Sequence, residues 1–201
     1  MERRLRAAAS AGASVLIVRA GDFFGPRAGN NWFWQALVRP GKPVSAITYP
    51  GRPGVGHQWA YLPDVAETMV RLLERSEGLE PFAVFHMEGH WDATGVRMIE
   101  AISAAVGDPN IKVRKMPWRI MRLLSPFVPL FRELSEMRYL WLTPIRMDNA
   151  RLTAVLGAEP HTPLEEAVRE PLIGLGCLEV RQKSGPLPAR RSEGERAGSR
   201  S

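Results

Sequence analysis

An α/β fold is predicted by three features of the 201-residue sequence. Residues 14–18 (SVLIV) form an unbroken run of mostly β-branched and leucine side chains, directly after an Ala- and Arg-rich helical segment at 2–11. Such a run, without alternation, is typical of a strand covered on both faces, as in a parallel sheet. A second apolar run, FAVFHM at 82–87, follows an amphipathic helix predicted over 64–75. This succession of helices and buried strands predicts βαβ-type connections.

The other elements follow from periodicity, turn residues and capping signals. Gly12 ends the first helix, and Thr94 is expected to cap a helix that Gly107 ends. Thr162 opens the last helix with capping-box spacing, and Pro163 takes its first position. The remaining predicted elements are an aromatic helix at 31–38, strands at 44–49, 58–62 and 111–116, and a helical region at 118–140 broken near Pro126 and Pro129.

The net charge of +6 does not by itself indicate a nucleic-acid partner. About +4 of this charge lies from Arg181 onward, and from residue 183 the chain is a Gly/Pro/Ser/Arg/Glu-rich tail, which we predict to be disordered over residues 183–201. The basic residues are not interleaved with aromatic residues as in proteins that bind single strands. We therefore expect no nucleic-acid partner, and residues 1–182 are interpreted as one folded unit.

The sequence contains one cysteine, Cys177, which we interpret as a small buried apolar side chain. A disulfide within the chain and a thiolate zinc site are therefore excluded, which favours a cytoplasmic location. The longest apolar stretch, residues 120–131, is interrupted by Arg122 and two prolines and is too short to span a bilayer. We expect no membrane partner.

Four segments carry a family resemblance. They are VLIVRAGDFFGP at 15–26, HQWAYLPDVAE at 57–67, FAVFHMEGHWDATGVRMIEAI at 82–102 and MDNARLTAVLGAEPHTPLEEAV at 147–168. In this order and spacing they resemble the C-terminal part of NAD(P)-dependent epimerases/dehydratases, the extended short-chain dehydrogenases/reductases. The resemblance covers residues 2–178. It implies a partial Rossmann-like parallel sheet, made of the C-terminal strands, and a small substrate-binding lobe.

The resemblance also implies roles for four residues. Backbone groups of Ala20 and Gly21 would face the nicotinamide of NAD or NADP, and Asp22 would contact a small-molecule substrate where the family usually has Asn. His57 stands where nucleotide-sugar members often carry an Arg that binds diphosphate. A carboxylate at Asp22 repels phosphate, and an imidazole lacks the bidentate fork of Arg, so a nucleotide-sugar substrate is disfavoured. The alternatives are an Asx-type loop cap for Asp22 and a surface-loop position for His57.

The family's proton transfer needs a Tyr with a Lys four residues later. The tyrosines are Tyr49, Tyr61 and Tyr139, and none has that Lys. No Gly-x-x-Gly-x-x-Gly loop occurs near the start either. We therefore expect no catalytic residue in this chain, which should be a fragment beginning just after the missing pair and inactive alone. The alternatives are a non-catalytic interaction protein, which could form a homo-oligomer, and a nucleic-acid binder that acts through its basic tail.

Two further patterns resemble functional motifs. The segment PGRPGVG at 50–56 resembles a phosphate-binding loop, but it joins two predicted strands rather than a strand and a helix, which favours a tight turn. His86 and His90 have no carboxylate at a helical spacing, so no metal site is expected.

Overall fold

The computed structural model describes residues 1–26 and 31–179, and the predicted tail at 183–201 lies outside the described residues. The predicted α/β class is confirmed. The described α-helices are α1 (Glu2–Ser10), α2 (Leu62–Glu74), α3 (Arg97–Val106), α4 (Trp118–Leu124), α5 (Pro129–Glu136), α6 (Ala150–Leu156) and α7 (Leu164–Gly174). The described strands are β1 (Val15–Arg19), β2 (Asp22–Phe24), β3 (Ala46–Tyr49), β4 (His57–Tyr61), β5 (Phe82–His86), β6 (His90–Asp92) and β7 (Lys112–Lys115). Shorter turns are a π-helical turn at Phe33–Leu37 and 3₁₀ turns at Ser76–Gly78 and Met137–Trp141.

These strands form three small sheets. β1 pairs in parallel with β5, and Val15 lies opposite Phe82. β4 is the central strand of the second sheet, parallel to β2 and antiparallel to β6. β3 and β7 form a third, parallel pair. The parallel pairing predicted for the runs at 14–18 and 82–87 is therefore confirmed.

The predicted burial of β1 on both faces is wrong for most of the strand. Val15 is buried, but Leu16, Ile17 and Val18 are only half-buried. Leu16 and Val18 pack towards α2, while the edge of β1 away from β5 pairs with no strand of the described chain. A parallel strand is fully covered only when it has neighbours at both edges and helices on both faces.

The described chain contains two hydrophobic cores. The smaller one, called the sheet core, lies between β1, β5, α2 and α6. Its buried members are Ala60, Val65, Leu72, Ala83, Phe85, Met87 and Leu152. The larger one, called the lobe core, joins β2, β3, β4, α3 and α7. Its largest fully buried side chains are Phe24, Phe33, Leu37, Ile47, Trp59, Met98, Ile102 and Trp141. Cys177 is also buried there, as predicted.

Two predicted helix caps are wrong. The carboxylate of Asp92 accepts hydrogen bonds from the backbone N–H groups of Thr94, Gly95 and Met98, so Asp92, and not Thr94, holds the start of α3. Thr162 likewise does not cap α7, because both its backbone N–H and its hydroxyl donate to Asp64, at 2.8 and 2.7 Å. In each case a carboxylate offers a stronger acceptor than the local capping arrangement. The predicted end of α3 at Gly107 is confirmed.

The segment at 50–56 joins two strands, β3 and β4, which belong to different sheets, and it contains the predicted tight turn: the Val55 N–H donates to the Arg52 carbonyl oxygen at 3.1 Å, and Gly54 has φ = +84°. The helical region at 118–140 is broken where predicted: α4 and α5 are separate and pack against each other.

Across residues 1–26 and 31–179, no helix is long and apolar enough to cross a membrane.

Candidate functional site

The chain leaves β1 through Ala20 and Gly21 and enters β2 at once. Gly21 lies against β4: a Cβ atom there would be 2.2 Å from the carbonyl oxygen of Gln58 and 3.0 Å from the backbone nitrogen of Trp59. Real Cβ atoms do not approach backbone atoms this closely, so only glycine fits. The absence of a side chain at Gly21 thus brings the carboxyl end of β1 into contact with β4.

Asp22 and His57 form a hydrogen-bonded pair at the first residues of β2 and β4. The distance from His57 Nε2 to Asp22 Oδ2 is 2.9 Å, and the imidazole N–H donates to the carboxylate. The His57 ring stacks on the Trp141 indole, with centroids 3.7 Å apart and planes 8° apart. Only 6% of His57 is exposed, so its interpretation as a surface-loop residue is wrong. Asp22 is a strand residue whose carboxylate orients a buried imidazole.

Gln58 fixes the segment that covers this pair. Its Nε2 donates to the carbonyl oxygens of Met87 and Glu88 at 3.1 and 2.6 Å. Its Oε1 accepts from the backbone N–H of Met147 at 2.9 Å. One buried amide therefore ties β4 to the turn after β5 and to the segment before α6, which satisfies its donors and acceptor without water.

A second glycine contacts β4 from the other side. Gly89 has φ = +54°, and a Cβ atom there would lie 2.4 Å from the carbonyl oxygen of Trp59. The Glu159 carboxylate accepts hydrogen bonds from the backbone N–H groups of Glu88 and Gly89, at 2.9 and 2.7 Å. The segments at 15–26, 57–67, 82–102 and 147–168, which carry the sequence resemblance, therefore meet around β4.

All four predicted site residues line one pocket of about 130 Å³. They share it with four residues that the sequence analysis did not identify: Gln58, Leu140, Ile145 and Met147. The pocket lies at the carboxyl end of β1, where open α/β folds bind ligands. Its polar groups are the backbone of Ala20 and Gly21 and the side chains of Asp22, His57 and Gln58.

Asp22 also lines a neighbouring pocket of about 190 Å³. Trp32 forms an apolar wall of this second pocket, and Glu133 contributes a second carboxylate. Two carboxylates around adjoining pockets make the site unfavourable for a phosphate group and favourable for hydroxyl or amine donors.

His86 and His90 lie on different strands, β5 and β6. The buried His90 ring contacts His161, with centroids 4.5 Å apart, and Phe24 at 5.8 Å. In the part of the chain that the structure describes, no group of three or more His, Cys, Asp or Glu side chains could hold a metal ion.

Comparison with known proteins gives matches in structure only. No family model and no curated protein matches the sequence. The structure of RMD from Pseudomonas aeruginosa, complexed with NADPH, matches with a TM-score of 0.53 and 18% identity over 86% of this chain and 51% of that one. UDP-glucose 4-epimerase from Thermus thermophilus, complexed with NAD, gives 0.55 and 19% over 87% and 50%. dTDP-glucose 4,6-dehydratase from Bacillus anthracis, complexed with NAD, gives 0.51 and 13% over 80% and 44%.

This chain has the fold of part of these epimerases and dehydratases. It spans about half the length of each. The resemblance inferred from four short sequence segments is therefore confirmed at the level of the fold, and so is the Rossmann-like class of its parallel pairs.

The pocket residues that the sequence analysis missed left one usable signal. Gln58 is a polar residue inside the strand HQWAY, all five of whose residues are buried. A buried amide in such a strand needs hydrogen-bond partners, so it marks a point where other segments converge. Leu140, Ile145 and Met147 left no comparable signal, because they resemble ordinary apolar residues of a loop.

Proposed function

We propose that this chain supplies the substrate-binding lobe and the nicotinamide-facing strand end of an NAD(P)-dependent oxidoreductase or epimerase/dehydratase. The observation that carries the proposal is the convergence of Ala20, Gly21, Asp22 and His57 in one pocket at the carboxyl end of β1. In open α/β folds this edge binds the ligand. The solved structures with this fold include complexes with NADPH and with NAD, which supports a dinucleotide as the cofactor.

Each pocket residue has a proposed part. The backbone of Ala20 and Gly21 contacts the nicotinamide side of the cofactor, where the glycine leaves room for a close approach. Asp22 and His57 contact the substrate, and their mutual hydrogen bond keeps the imidazole oriented. Because Asp22 and Glu133 are both carboxylates, the substrate group held here is a hydroxyl or amine and not a diphosphate. Residues 1–182 act as one unit in this proposal, located in the cytoplasm.

The 201 residues alone do not perform the chemistry in this proposal. The family's reaction uses a Tyr whose phenol exchanges a proton with the substrate, and that Tyr needs a lowered pKa. Burial and the Asp92 carboxylate instead raise the pKa of Tyr49. Burial and the hydrogen bond to Glu170 likewise raise the pKa of Tyr61. Neither phenol is therefore suited to act as the base at neutral pH, and neither has a Lys four residues later.

Titration with cofactor and with a cofactor fragment tests both parts of the proposal. The 201-residue chain should show no saturable binding of NADH or NADPH at micromolar concentration, followed by nucleotide fluorescence, and no turnover. With ¹⁵N-labelled chain, nicotinamide mononucleotide at millimolar concentration should shift the amide resonances of Ala20 and Gly21 before those of the distant Gly78. Saturable binding of NADH or NADPH at micromolar concentration would contradict the proposed inactivity of the 201-residue chain. A shift pattern that spares the pocket contradicts the site.

A second function is favoured by the half-buried strand β1. Leu16 and Val18 form an open apolar groove of about 260 Å³ with Met69, Leu72 and Leu73 of α2. An exposed apolar groove beside an unpaired strand edge is suited to a protein partner. In this alternative the chain is a non-catalytic interaction protein or a homo-oligomer. A single sharp oligomer in sedimentation velocity, dissociated by Val18→Lys, would support it, and a monomer at all concentrations would count against a homo-oligomer.

A further inference from the structure

The helices α4 and α5 form a hairpin whose outer surface is unusually apolar. Leu123 is 75% exposed and Phe127, in the connection between the helices, is 82% exposed. Residues 120, 123 and 124 lie three and four positions apart and so share one side of α4, while Met121 points inward and is buried. We define the apolar hairpin face by the exposed residues Ile120, Leu123, Leu124, Phe127 and Leu130.

The charge near this face is mostly positive, although α5 also carries the exposed carboxylates Glu133 and Glu136. The 24 residues from Pro109 to Arg132 contain six Lys and Arg residues and no Asp or Glu, so this stretch alone equals the +6 net charge of the chain. All six side chains are exposed, and none forms an ion pair with a carboxylate in the described ranges. They are Lys112, Arg114, Lys115, Arg119, Arg122 and Arg132.

A cationic pocket of about 600 Å³ opens at the base of the hairpin. Arg52, Lys115, Arg119 and Arg138 line it, no carboxylate does, and the Arg138 guanidinium lies 5.8 Å from the centroid of the Trp118 ring. A phosphate-bearing group fits such a lining, since guanidinium groups bind phosphate oxygens in pairs.

We propose that the apolar hairpin face and its surrounding cations bind the surface of a lipid bilayer that contains anionic lipids. Leu123 and Phe127 insert at the boundary of headgroups and acyl chains, and the basic pocket receives a lipid phosphate. Helices with an apolar side and a basic border bind membranes in this way, lying on the surface, so no spanning helix is needed. The proposal does not depend on the function proposed above, because Leu123 and Phe127, which would insert into the bilayer, line neither the pocket of Asp22 and His57 nor its neighbour; Leu130 is the one hairpin-face residue that lines the neighbouring pocket.

The charges favour a bilayer over the other occupants of an apolar face. Residues 109–138 contain seven Lys and Arg residues and two Glu residues, a net charge of +5, so two copies of this chain meeting through the hairpin face would bring together two positively charged surfaces, which disfavours a dimer. A nucleic acid would neutralise the cations but would leave Ile120, Leu123 and Leu124 without an apolar partner. An anionic bilayer satisfies both requirements, because it offers negative charge at its surface and hydrocarbon below it.

Co-sedimentation of the full chain with lipid vesicles tests the proposal. The chain should bind vesicles of phosphatidylcholine mixed with phosphatidylserine, much less those of phosphatidylcholine alone, and the binding should fall with added salt. Replacing both Leu123→Asp and Phe127→Asp should weaken binding by more than about tenfold, because apolar insertion is lost. Replacing Arg119→Gln and Arg122→Gln together should weaken binding about 30-fold, from roughly 1 kcal/mol per charge near an anionic surface.

Two matched controls distinguish the hairpin face from the remaining apolar and basic surfaces of the chain. Val70→Asp introduces the same charge at a 50% exposed apolar residue of α2 that does not line the groove of Leu16 and Val18, and it should leave vesicle binding unchanged. Arg190→Gln with Arg191→Gln removes two charges of the tail and should weaken binding far less than the hairpin pair. Each variant's near-UV circular dichroism and melting temperature check its fold. Equal loss in the tail variant, or binding that the hairpin variants do not alter, overturns the proposal. A hairpin-dependent dimer in sedimentation equilibrium without vesicles overturns it in favour of a second copy.

Discussion

The lobe core and the sheet core differ in how completely they are closed. In the lobe core, Trp59, Trp141, Phe24 and Phe33 are almost fully buried, and their rings contact one another directly or through neighbouring aromatic rings. In the sheet core, Phe85 is the one aromatic member among the described buried residues. Strand β4 in the lobe is buried along its whole length, whereas β1 in the sheet is half-buried at most of its residues.

This difference assigns separate tasks to the two cores. Closed aromatic packing gives the lobe the greater part of the hydrophobic stabilisation, because that stabilisation grows with the apolar area removed from water. The sheet core keeps an apolar groove open, and one edge of β1 pairs with no strand of the residues that the structure describes. The candidate pocket lies where the two cores meet, at the end of β1 and the start of β4. The lobe therefore holds the pocket in shape, and the sheet remains available to a further strand or partner.

Matched isoleucine replacements should reveal the largest contrast. Ile47 on β3 is fully buried in the lobe core, whereas Ile17 on β1 is half-buried. Ile47→Ala should lower the free energy of unfolding by about 3 kcal/mol, and Ile17→Ala by about 1 kcal/mol, because less apolar area is lost at the half-buried residue. Urea unfolding followed by circular dichroism measures both. Equal losses would mean that β1 is covered in solution and would break the comparison.

A methyl group added at Gly21 should give the next largest effect. Its Cβ would lie 2.2 Å from the Gln58 carbonyl oxygen, so the end of β1 must move away from β4. Gly21→Ala should cost about 2 kcal/mol of stability through this overpacking. Gly78→Ala is the control, because nothing lies within 4 Å of its added methyl group and no positive φ opposes it. If Gly21→Ala leaves the free energy of unfolding unchanged, the contact between the two cores is loose.

Much of the fold follows from local patterns in the sequence. The parallel strands β1 and β5, the helix α2 and the break between α4 and α5 were predictable, because β-branched runs, helical periodicity and prolines act over a few residues. The family resemblance also placed Asp22 and His57 in one site. Their hydrogen bond was not predictable, because it depends on the parallel register of β2 beside β4.

The errors at the helix cap and at β1 share a physical cause, because both depend on residues that are distant in the sequence. Thr162 has the local spacing of a helix cap, yet it donates to Asp64, which is 98 residues away in the sequence. The six cations at residues 112–132 are a different case: they lie close together in the sequence, on β7, α4 and α5, but neither the total charge nor the search for spanning segments examines such a short stretch. The burial predicted for β1 was wrong because the apolar run at 14–18 predicts a strand, but it does not predict which strands and helices cover that strand.

The stability of the lobe should depend on pH through His90. Burial, and secondly the nearby His161, lower the pKa of His90 from 6.5 to about 4. The unfolded chain therefore binds a proton below pH 6.5 that the folded chain does not bind until about pH 4. Stability should be fully present above pH 6.5 and should fall as the pH is lowered from 6.5 to about 4.

Melting temperatures of the wild-type chain and His90→Gln, measured across that pH range, check this dependence. The variant should lose less stability on acidification, since glutamine does not titrate. Parallel curves for the two proteins would show that His90 is open to water, and would weaken the contrast between a closed lobe core and an open sheet core.

The smallest expected effect tests the pair between the two cores. Asp22→Asn keeps an oxygen that accepts from His57 Nε2 and removes only the charge, so it should cost less than about 1 kcal/mol. Asp22→Ala removes the acceptor from the buried imidazole and should cost about 1–3 kcal/mol. Urea midpoints of the two variants distinguish hydrogen bonding from charge. If Asn is tolerated and Ala is not, the fold requires the acceptor and not the negative charge, which leaves the charge of Asp22 to be explained by what the pocket binds. If Asp22→Asn and Asp22→Ala lose the same stability, the negative charge of Asp22 itself stabilises the fold.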